Sequence, residues 1–173
     1  MWLKVAGGLL ILLVSTYIGF QMAARCNGRP QHIRQIGCCL GSLKSYIHYA
    51  SLPLQDAMKQ CTHGIHGPVA ELFHHTAVLL EEESSLSPQQ AMNKVVSDLQ
   101  GKLLLDQSEL ELLDLLGANL GIMNRQEQVN YLTMIIEQME KFEVEAVRFR
   151  DLNTKMYRYL GLCGGLAIVI LLV

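Results

Sequence analysis

The apolar residues of this chain form two kinds of pattern, helical stripes in the middle and unbroken runs at both ends. After Pro30, apolar positions recur at alternating steps of three and four residues, a spacing that places them on one face of an α-helix. They are Ile33, Ile36, Leu40, Leu43, Ile47 and Ala50. No alternating pattern of useful length indicates a strand, and no long repeat occurs. The middle of the chain is therefore predicted to be an all-α bundle of about six helices.

Proline, glycine and capping residues predict where these helices begin and end. Pro53 suits the first turn of a second helix that ends near Gly64, and Pro68 begins a third. Ser87, followed by proline and then Gln90, forms a capping box for a fourth helix that Gly101 ends. The remaining predicted signals are a second capping box at Ser108 and Glu111, followed by chain breaks at Gly117 and Gly121.

The first twenty-four residues are predicted to be a transmembrane anchor. Residues 5–24 carry no aspartate, glutamate, lysine, arginine or histidine, and a helix of that length spans about 30 Å of hydrocarbon. Trp2 and Arg25 flank the run as an interfacial aromatic residue and a cation. A cleaved signal peptide is the alternative, but no small-x-small cleavage site follows the apolar run.

A long last helix is predicted to lead into a second transmembrane helix at residues 159–173. The apolar positions of the long helix are Val129, Leu132, Ile136, Met139, Phe142, Ala146 and Phe149. The second span is only about 22 Å long as a helix, so it needs local thinning of the bilayer, snorkelling cations or packing partners to cross. Gly161 and Gly165 form a G-x-x-x-G motif that lets helices pair closely in lipid. Glycine is also frequent in membrane helices generally, so a pairing role stays open.

The cations beside the two apolar runs predict the orientation in the membrane. Arg25, Arg29 and Arg34 follow the first run, and four further cations precede the second, whereas only Lys4 lies beyond either outer end. The positive-inside rule then places the domain at residues 25–158 in the cytoplasm and both termini outside.

Composition agrees with this arrangement. The chain is 50% hydrophobic and 17% charged, with a net charge of −2, and its mean hydropathy is +0.23. These values exclude a disordered chain, and the net charge provides no positive electrostatic field that would attract nucleic acid. The five cysteines are odd in number and include a vicinal pair, which is typical of free thiols in a reducing compartment.

One cluster resembles a set of metal ligands. Cys61, His63 and His66 are close in sequence, with His74 and His75 nearby. Zinc sites usually draw on two separated pairs of ligands, and no second pair matches this one. A membrane-anchored metal or redox sensor is therefore kept as the alternative function, beside surface histidines at a helix junction.

Two smaller features have similar alternatives. The vicinal cysteines Cys38 and Cys39 are expected to be half-buried, and nothing in the nearby sequence lowers a thiol pKa as a redox role would require. The acidic run 81–83 is expected to be a solvated helix end, with docking of a basic partner as its alternative.

Motifs for catalysis are absent from the sequence. Phosphate-binding loops, dinucleotide-binding glycines, zinc-protease motifs and nucleophile elbows do not occur, and no charge lies within the apolar runs. We therefore expect a protein that binds other proteins and has no catalytic residues, resident metal or cofactor.

Several short strings together resemble the stage III sporulation protein AB family of endospore-forming bacteria. They are Arg29-Pro30 with Ile33-Arg34; Ile47-His48-Tyr49 followed by Leu52-Pro53-Leu54; Leu116-Gly117-Ala118-Asn119-Leu120-Gly121 with Arg125 and Gln128; and the run 155–166. The resemblance covers nearly the whole chain. It departs from the family pattern at Tyr46, Met92 and Asn124, which are positions of a structural kind, and Asn124 remains a competent helix N-cap.

The resemblance implies a component of the channel between mother cell and forespore, placed in the mother-cell membrane. It also implies a soluble domain similar to the cytoplasmic domain of the type II secretion platform protein. The partners would be a cytoplasmic secretion-type ATPase, other channel subunits and membrane lipid. The candidate partner-binding residues are Ile47, Tyr49, Pro53, Gly121, Arg125 and Gln128. Packing at helix turns is also an adequate explanation of the same residues.

Overall fold

All regular secondary structure in the described part of the chain is helical. The structure is a computed structural model that describes Val14, Tyr17, residues 28–83 and residues 85–172, with side chains described as far as Asn153. Within these residues there are six helices and no strand, which confirms the predicted all-α class. The helices are α1 at residues 28–45, which continues as a π-helical turn at Tyr46–Ala50, then α2 at Leu54–Gln60, α3 at Pro68–Glu82, α4 at Pro88–Asp98, α5 at Gln107–Asn119 and α6 at Arg125–Leu172.

The chain divides into two compact units. One is Gln31–Glu143, and the other combines Met1–Pro30 with Val144–Val173. The first unit contains the helical bundle and all six candidate partner-binding residues. In it α2 packs against α3, α3 against α4, and α4 against α5.

The predicted stripe of α1 is confirmed except at its last position. Its first five members are fully or nearly fully buried, from Ile33 to Ile47. Ala50 is exposed, so its prediction as a core position was wrong. The reason is the π turn, which replaces the i to i+4 spacing of an α-helix and rotates the last residues away from the stripe.

The helix starts at α4 and α6 are closed by reciprocal capping boxes. The Ser87 hydroxyl accepts a hydrogen bond from the Gln90 backbone N–H (3.2 Å), and the Gln90 side chain accepts one from the Ser87 N–H (3.1 Å), which confirms the predicted box. At α6 the Glu127 N–H donates to Asn124 Oδ1 (2.9 Å), and the Asn124 N–H donates to Glu127 Oε2 (3.3 Å). At both helix starts, side chains three residues away therefore accept hydrogen bonds from backbone N–H groups that have no partner within the helix.

The predicted capping box at Ser108 and Glu111 was wrong. α5 begins two residues earlier, with Asp106 as its N-cap and Glu109 accepting a hydrogen bond from the Asp106 N–H. Aspartate caps as well as serine does, and the earlier start buries the Glu109 side chain completely.

Gly117 does not break the chain as predicted. It lies inside α5, which ends at Asn119. Gly121 does follow the helix end, in the left-handed region with φ of 84°, where glycine is favoured because it has no Cβ. α2 ends at Gln60, somewhat before the predicted end, and Gly101 lies in the turn after α4.

The long last helix is confirmed as one continuous element of 48 residues. Among its residues up to Asn153, the buried positions are Leu132, Ile135, Met139 and Ala146. Among the predicted positions Val129, Ile136 and Phe142 are half-buried and Phe149 is exposed.

The predicted membrane segments stay predictions. Across the described residues, no helix combines the length and mean hydropathy that a membrane span requires. The predicted span at residues 5–24 lies outside the described residues except for Val14 and Tyr17. Gly161 and Gly165 lie in α6, beyond the last residue whose side chain is described.

Candidate partner-binding surface

The two stretches predicted to bind partners meet at one end of the bundle. A Cβ placed on Gly121 would lie 3.7 Å from Leu54 Cδ2 and 3.9 Å from Pro88 Cγ, so the turn after α5 packs on the starts of α2 and α4. The end of α1 reaches the start of α6, because Lys44 Nζ donates a hydrogen bond to Thr133 Oγ1 (3.5 Å). The ends of α1 and α5 and the starts of α2, α4 and α6 therefore form one end of the Gln31–Glu143 unit.

Most of the candidate residues are accessible at this end. Tyr49 is 82% exposed, which is high for an aromatic side chain. Pro53 and Arg125 are exposed, and Gln128 is half-buried. Ile47 is buried and belongs to the core of α1.

Ile122 was missed by the sequence analysis. It is 81% exposed and follows Gly121 directly. Its signal was a large aliphatic residue in the short turn between two helices that belongs to no helical stripe. We call the surface formed by Tyr49, Pro53, Ile122, Arg125 and Gln128 the end surface.

The α5 side of the end surface rests on a close approach of two helices. A Cβ on Gly117 would lie 2.7 Å from the Gln89 Cα, so α5 touches the backbone of α4. Beside this contact, Asp114 Oδ1 accepts hydrogen bonds from Asn93 Nδ2 (2.6 Å) and Gln89 Nε2 (2.9 Å). These hydrogen bonds hold the pKa of the Asp114 carboxyl below its ordinary value.

Polar contacts also link the end of α5 to α6. The Tyr131 hydroxyl donates a hydrogen bond to the Leu115 carbonyl (3.0 Å), and Asn119 Nδ2 donates both to that carbonyl (2.9 Å) and to Tyr131 Oη (3.1 Å). Together with the capping boxes of α4 and α6, these contacts fix the turn that carries Ile122 and Arg125.

The α1 side of the end surface is irregular. The π turn is followed by Ser51, which has a positive φ of 52°. His48 Nδ1 is buried and has no hydrogen-bond partner among the described residues. The His48 ring meets the Tyr49 ring edge to face, with centroids 4.5 Å apart.

The structure does not assemble the alternative metal site. Cys61 is 1% exposed, whereas His63 and His66 are exposed. The Cys61 thiol donates a hydrogen bond to the Met58 carbonyl (3.1 Å). A hydrogen bond with the Cys39 thiol, together with burial, raises the Cys61 pKa well above its ordinary value and keeps the thiol protonated. No group of three or more metal-ligating side chains exists within the described residues.

The structure also shows the surroundings of the vicinal cysteines and of the acidic run 81–83. Cys39 is buried and Cys38 is exposed, so one thiol of the vicinal pair lies in the core and the other on the surface. In the acidic run, Glu81 pairs with Lys59 (2.6 Å) and Glu83 pairs with Lys94 (3.5 Å). Two of its three carboxylates thus already have partners within the chain.

Comparisons with known proteins all indicate one family, and the two sequence comparisons cover nearly the full length of the chain. The family model described as stage III sporulation protein AB matches residues 4–173. Stage III sporulation protein AB of Bacillus subtilis (strain 168) is 32% identical over 170 residues, which covers 98% of this chain and 99% of that protein. A solved structure of stage III sporulation protein AB superposes with a TM-score of 0.63 and 31% identity, covering 69% of this chain and 94% of the solved chain.

Proposed function

This chain belongs to the stage III sporulation protein AB family, and from that premise we propose that it is a non-enzymatic assembly platform of the channel complex between mother cell and forespore. It joins a cytoplasmic secretion-type ATPase to membrane-embedded channel subunits. The end surface is where the ATPase docks.

The observation that carries this proposal is the convergence of two distant stretches at one end of the bundle. Residues 47–53 and 121–128 were singled out separately in the sequence, and Gly121 packs beside Leu54 in the structure. Exposed Tyr49 and Ile122 give this end the large apolar side chains that dominate protein interfaces. Arg125 adds a cation with a geometry suited to carboxylates.

The order of the helices along the chain is compatible with a docking role for this end. The end surface lies at the C-terminal end of α1 and the N-terminal end of α6. The predicted membrane spans join the opposite ends of these two helices, before α1 and in the last part of α6. The spans would hold the chain in the mother-cell membrane, surrounded by lipid and by other channel subunits, with both termini outside.

Capture of the purified cognate ATPase by the full chain in lipid nanodiscs tests the proposal. We expect Arg125→Glu combined with Gln128→Glu to weaken capture by at least about tenfold, because loss of one good charged contact in an interface typically has that effect. The matched control is Gln31→Glu with Arg34→Glu, which makes the same change in net charge on two exposed residues near the start of α1.

The control variant should capture the ATPase as well as the wild-type chain does. Equal weakening by both variants would mean that only net charge matters. Unchanged capture by the Arg125 and Gln128 variant would mean that the end surface is a packing feature and that the ATPase docks elsewhere. Circular dichroism of each variant checks that the bundle remains folded.

A further inference from the structure

The two sides of the end surface differ in how regular their local structure is. On one side, the helix starts at Ser87 and Asn124 have reciprocal capping boxes. On the other side, the end of α1 has a π turn, a non-glycine residue at positive φ and a buried ring nitrogen with no hydrogen-bond partner among the described residues. These three irregularities lie within residues 46–51.

Each irregularity disfavours the conformation that is observed. An L-residue such as Ser51 in the left-handed region lowers the population of that conformation by roughly tenfold relative to glycine. Burial removes the hydrogen bonds of His48 Nδ1 to water, and no described residue replaces them. The π turn also moves Ala50 out of the apolar stripe to which its spacing assigns it. The strain is therefore concentrated in one turn.

The strained turn carries the most exposed aromatic side chain of the end surface, Tyr49. Exposed aromatic residues are frequent anchors at interfaces, and π turns and strained residues cluster at functional sites. The same turn leads directly into Pro53 and Leu54, and Leu54 is the residue beside which Gly121 packs. A change in the turn would thus alter the surface that a partner meets.

We propose that residues 46–51 form a two-state element that leaves the observed π and left-handed conformation when the ATPase docks. The Gly121–Arg125 side then acts as a fixed support, and the Tyr49 side adapts to the partner. Release of the local strain on docking contributes to affinity. This inference rests on the proposed function and specifies which part of the docking surface moves.

Substitution at Ser51 tests the inference because it changes the strain without touching Tyr49. Ser51→Gly removes the penalty of the left-handed conformation and stabilises the free state, so capture of the purified cognate ATPase by the full chain in nanodiscs should weaken by about fivefold to tenfold. Ser51→Ala is the matched control. It removes the hydroxyl but keeps the strain, and it should bind within about twofold of the wild-type chain.

Hydrogen exchange of the wild-type chain gives a second readout that does not depend on a variant. Saturating ATPase should change the exchange of the amides at residues 46–51 by at least about tenfold, and should change those at residues 107–119 of α5 much less. Equal capture by Ser51→Gly and the wild-type chain, or unaltered exchange at residues 46–51 in the complex, would overturn the inference.

The two proposals fail in different ways. If the Arg125 and Gln128 variant loses capture while Ser51→Gly does not, the docking surface stands and the two-state turn is wrong. If the wild-type chain does not capture the ATPase, the proposed function fails and the inference fails with it.

Discussion

Gly117 on α5 lies directly against the backbone of Gln89 on α4. A Cβ at position 117 would come within 2.7 Å of the Gln89 Cα, which is closer than side-chain atoms approach a backbone without displacement. The contact lies one helical turn before Gly121 and beside Pro88, so it also sets the position of the turn that carries Ile122 and Arg125.

Gly117→Ala should therefore destabilise the fold. The added methyl group meets backbone rather than a flexible side chain, so α4 and α5 must separate, at a cost of about 1–3 kcal/mol in the free energy of unfolding. Urea denaturation followed by circular dichroism measures the change.

Gly41→Ala is the matched control for this substitution. Gly41 also lies inside a helix, but no described atom lies within 4 Å of an added Cβ. Alanine should stabilise α1 there by about 0.5–1 kcal/mol. If both substitutions stabilise the protein, the close approach of α4 and α5 is not tight in solution.

The features that the sequence predicted correctly depend on neighbouring residues. The capping box at Ser87 and Gln90 and the N-cap at Asn124 each join residues three positions apart, so their chemistry can be read locally. The stripe from Ile33 to Ile47 likewise follows from helical spacing alone.

The features that the sequence predicted wrongly depend on tertiary contacts. From the sequence, Gly117 is predicted to break the chain. In the structure it lies inside α5, and its missing side chain makes room for the backbone of Gln89. Ala50 fits the helical spacing of the stripe. The π turn, however, redirects the chain toward Leu54 and takes Ala50 out of the stripe. At α5, Asp106 and Ser108 both head plausible capping boxes, and the structure uses Asp106.

The candidate surface shows the same division. The sequence indicated both of its stretches through the family resemblance, but the exposure of Ile122 and the burial of Ile47 required the fold. The fold was also needed to show that the two stretches meet beside Leu54, because no spacing in the sequence relates residue 54 to residue 121.

Acidification should weaken the bundle through His32. The Leu104 backbone N–H donates a hydrogen bond to His32 Nδ1 (3.0 Å), so this ring nitrogen acts as an acceptor and must be unprotonated. Burial lowers the pKa of His32 below its usual value of 6.5. The folded state therefore binds fewer protons than the unfolded state just below pH 6.5, and the stability due to this group is lost as the pH falls through that range.

His32→Asn separates this effect from other titrations. The asparagine side-chain oxygen can accept the same hydrogen bond but does not titrate near pH 6. The urea midpoint of the wild-type chain should fall more than that of His32→Asn between pH 7.5 and pH 5.5. Parallel curves for the two proteins would show that His32 does not contribute to acid sensitivity.

Fusions to reporter enzymes test the predicted topology in the membrane. Because the cations flank the inner ends of both apolar runs, alkaline phosphatase fused after Val173 should be active, since this enzyme needs the oxidising exterior. The same enzyme fused within the loop between α4 and α5, at Leu104, should be inactive. Activity of the Leu104 fusion but not of the Val173 fusion would indicate the opposite orientation. If neither fusion were active, the prediction of a second transmembrane span would be contradicted.

Deletion of the gene in its spore-forming host tests the proposed function in the cell. An in-frame deletion should arrest forespore development after engulfment, as scored by microscopy, and the wild-type gene supplied in trans should restore spores. The Arg125→Glu and Gln128→Glu gene should restore fewer spores, since it encodes a folded protein with a weakened docking surface, whereas the Gln31→Glu and Arg34→Glu gene should restore them fully. Immunoblotting must show equal amounts of each protein, because a loss of about 1–2 kcal/mol in stability alone can reduce abundance several-fold. Normal spores in the deletion strain would contradict a required role in the channel, and full rescue by both variants would confine that role to surfaces other than the end surface.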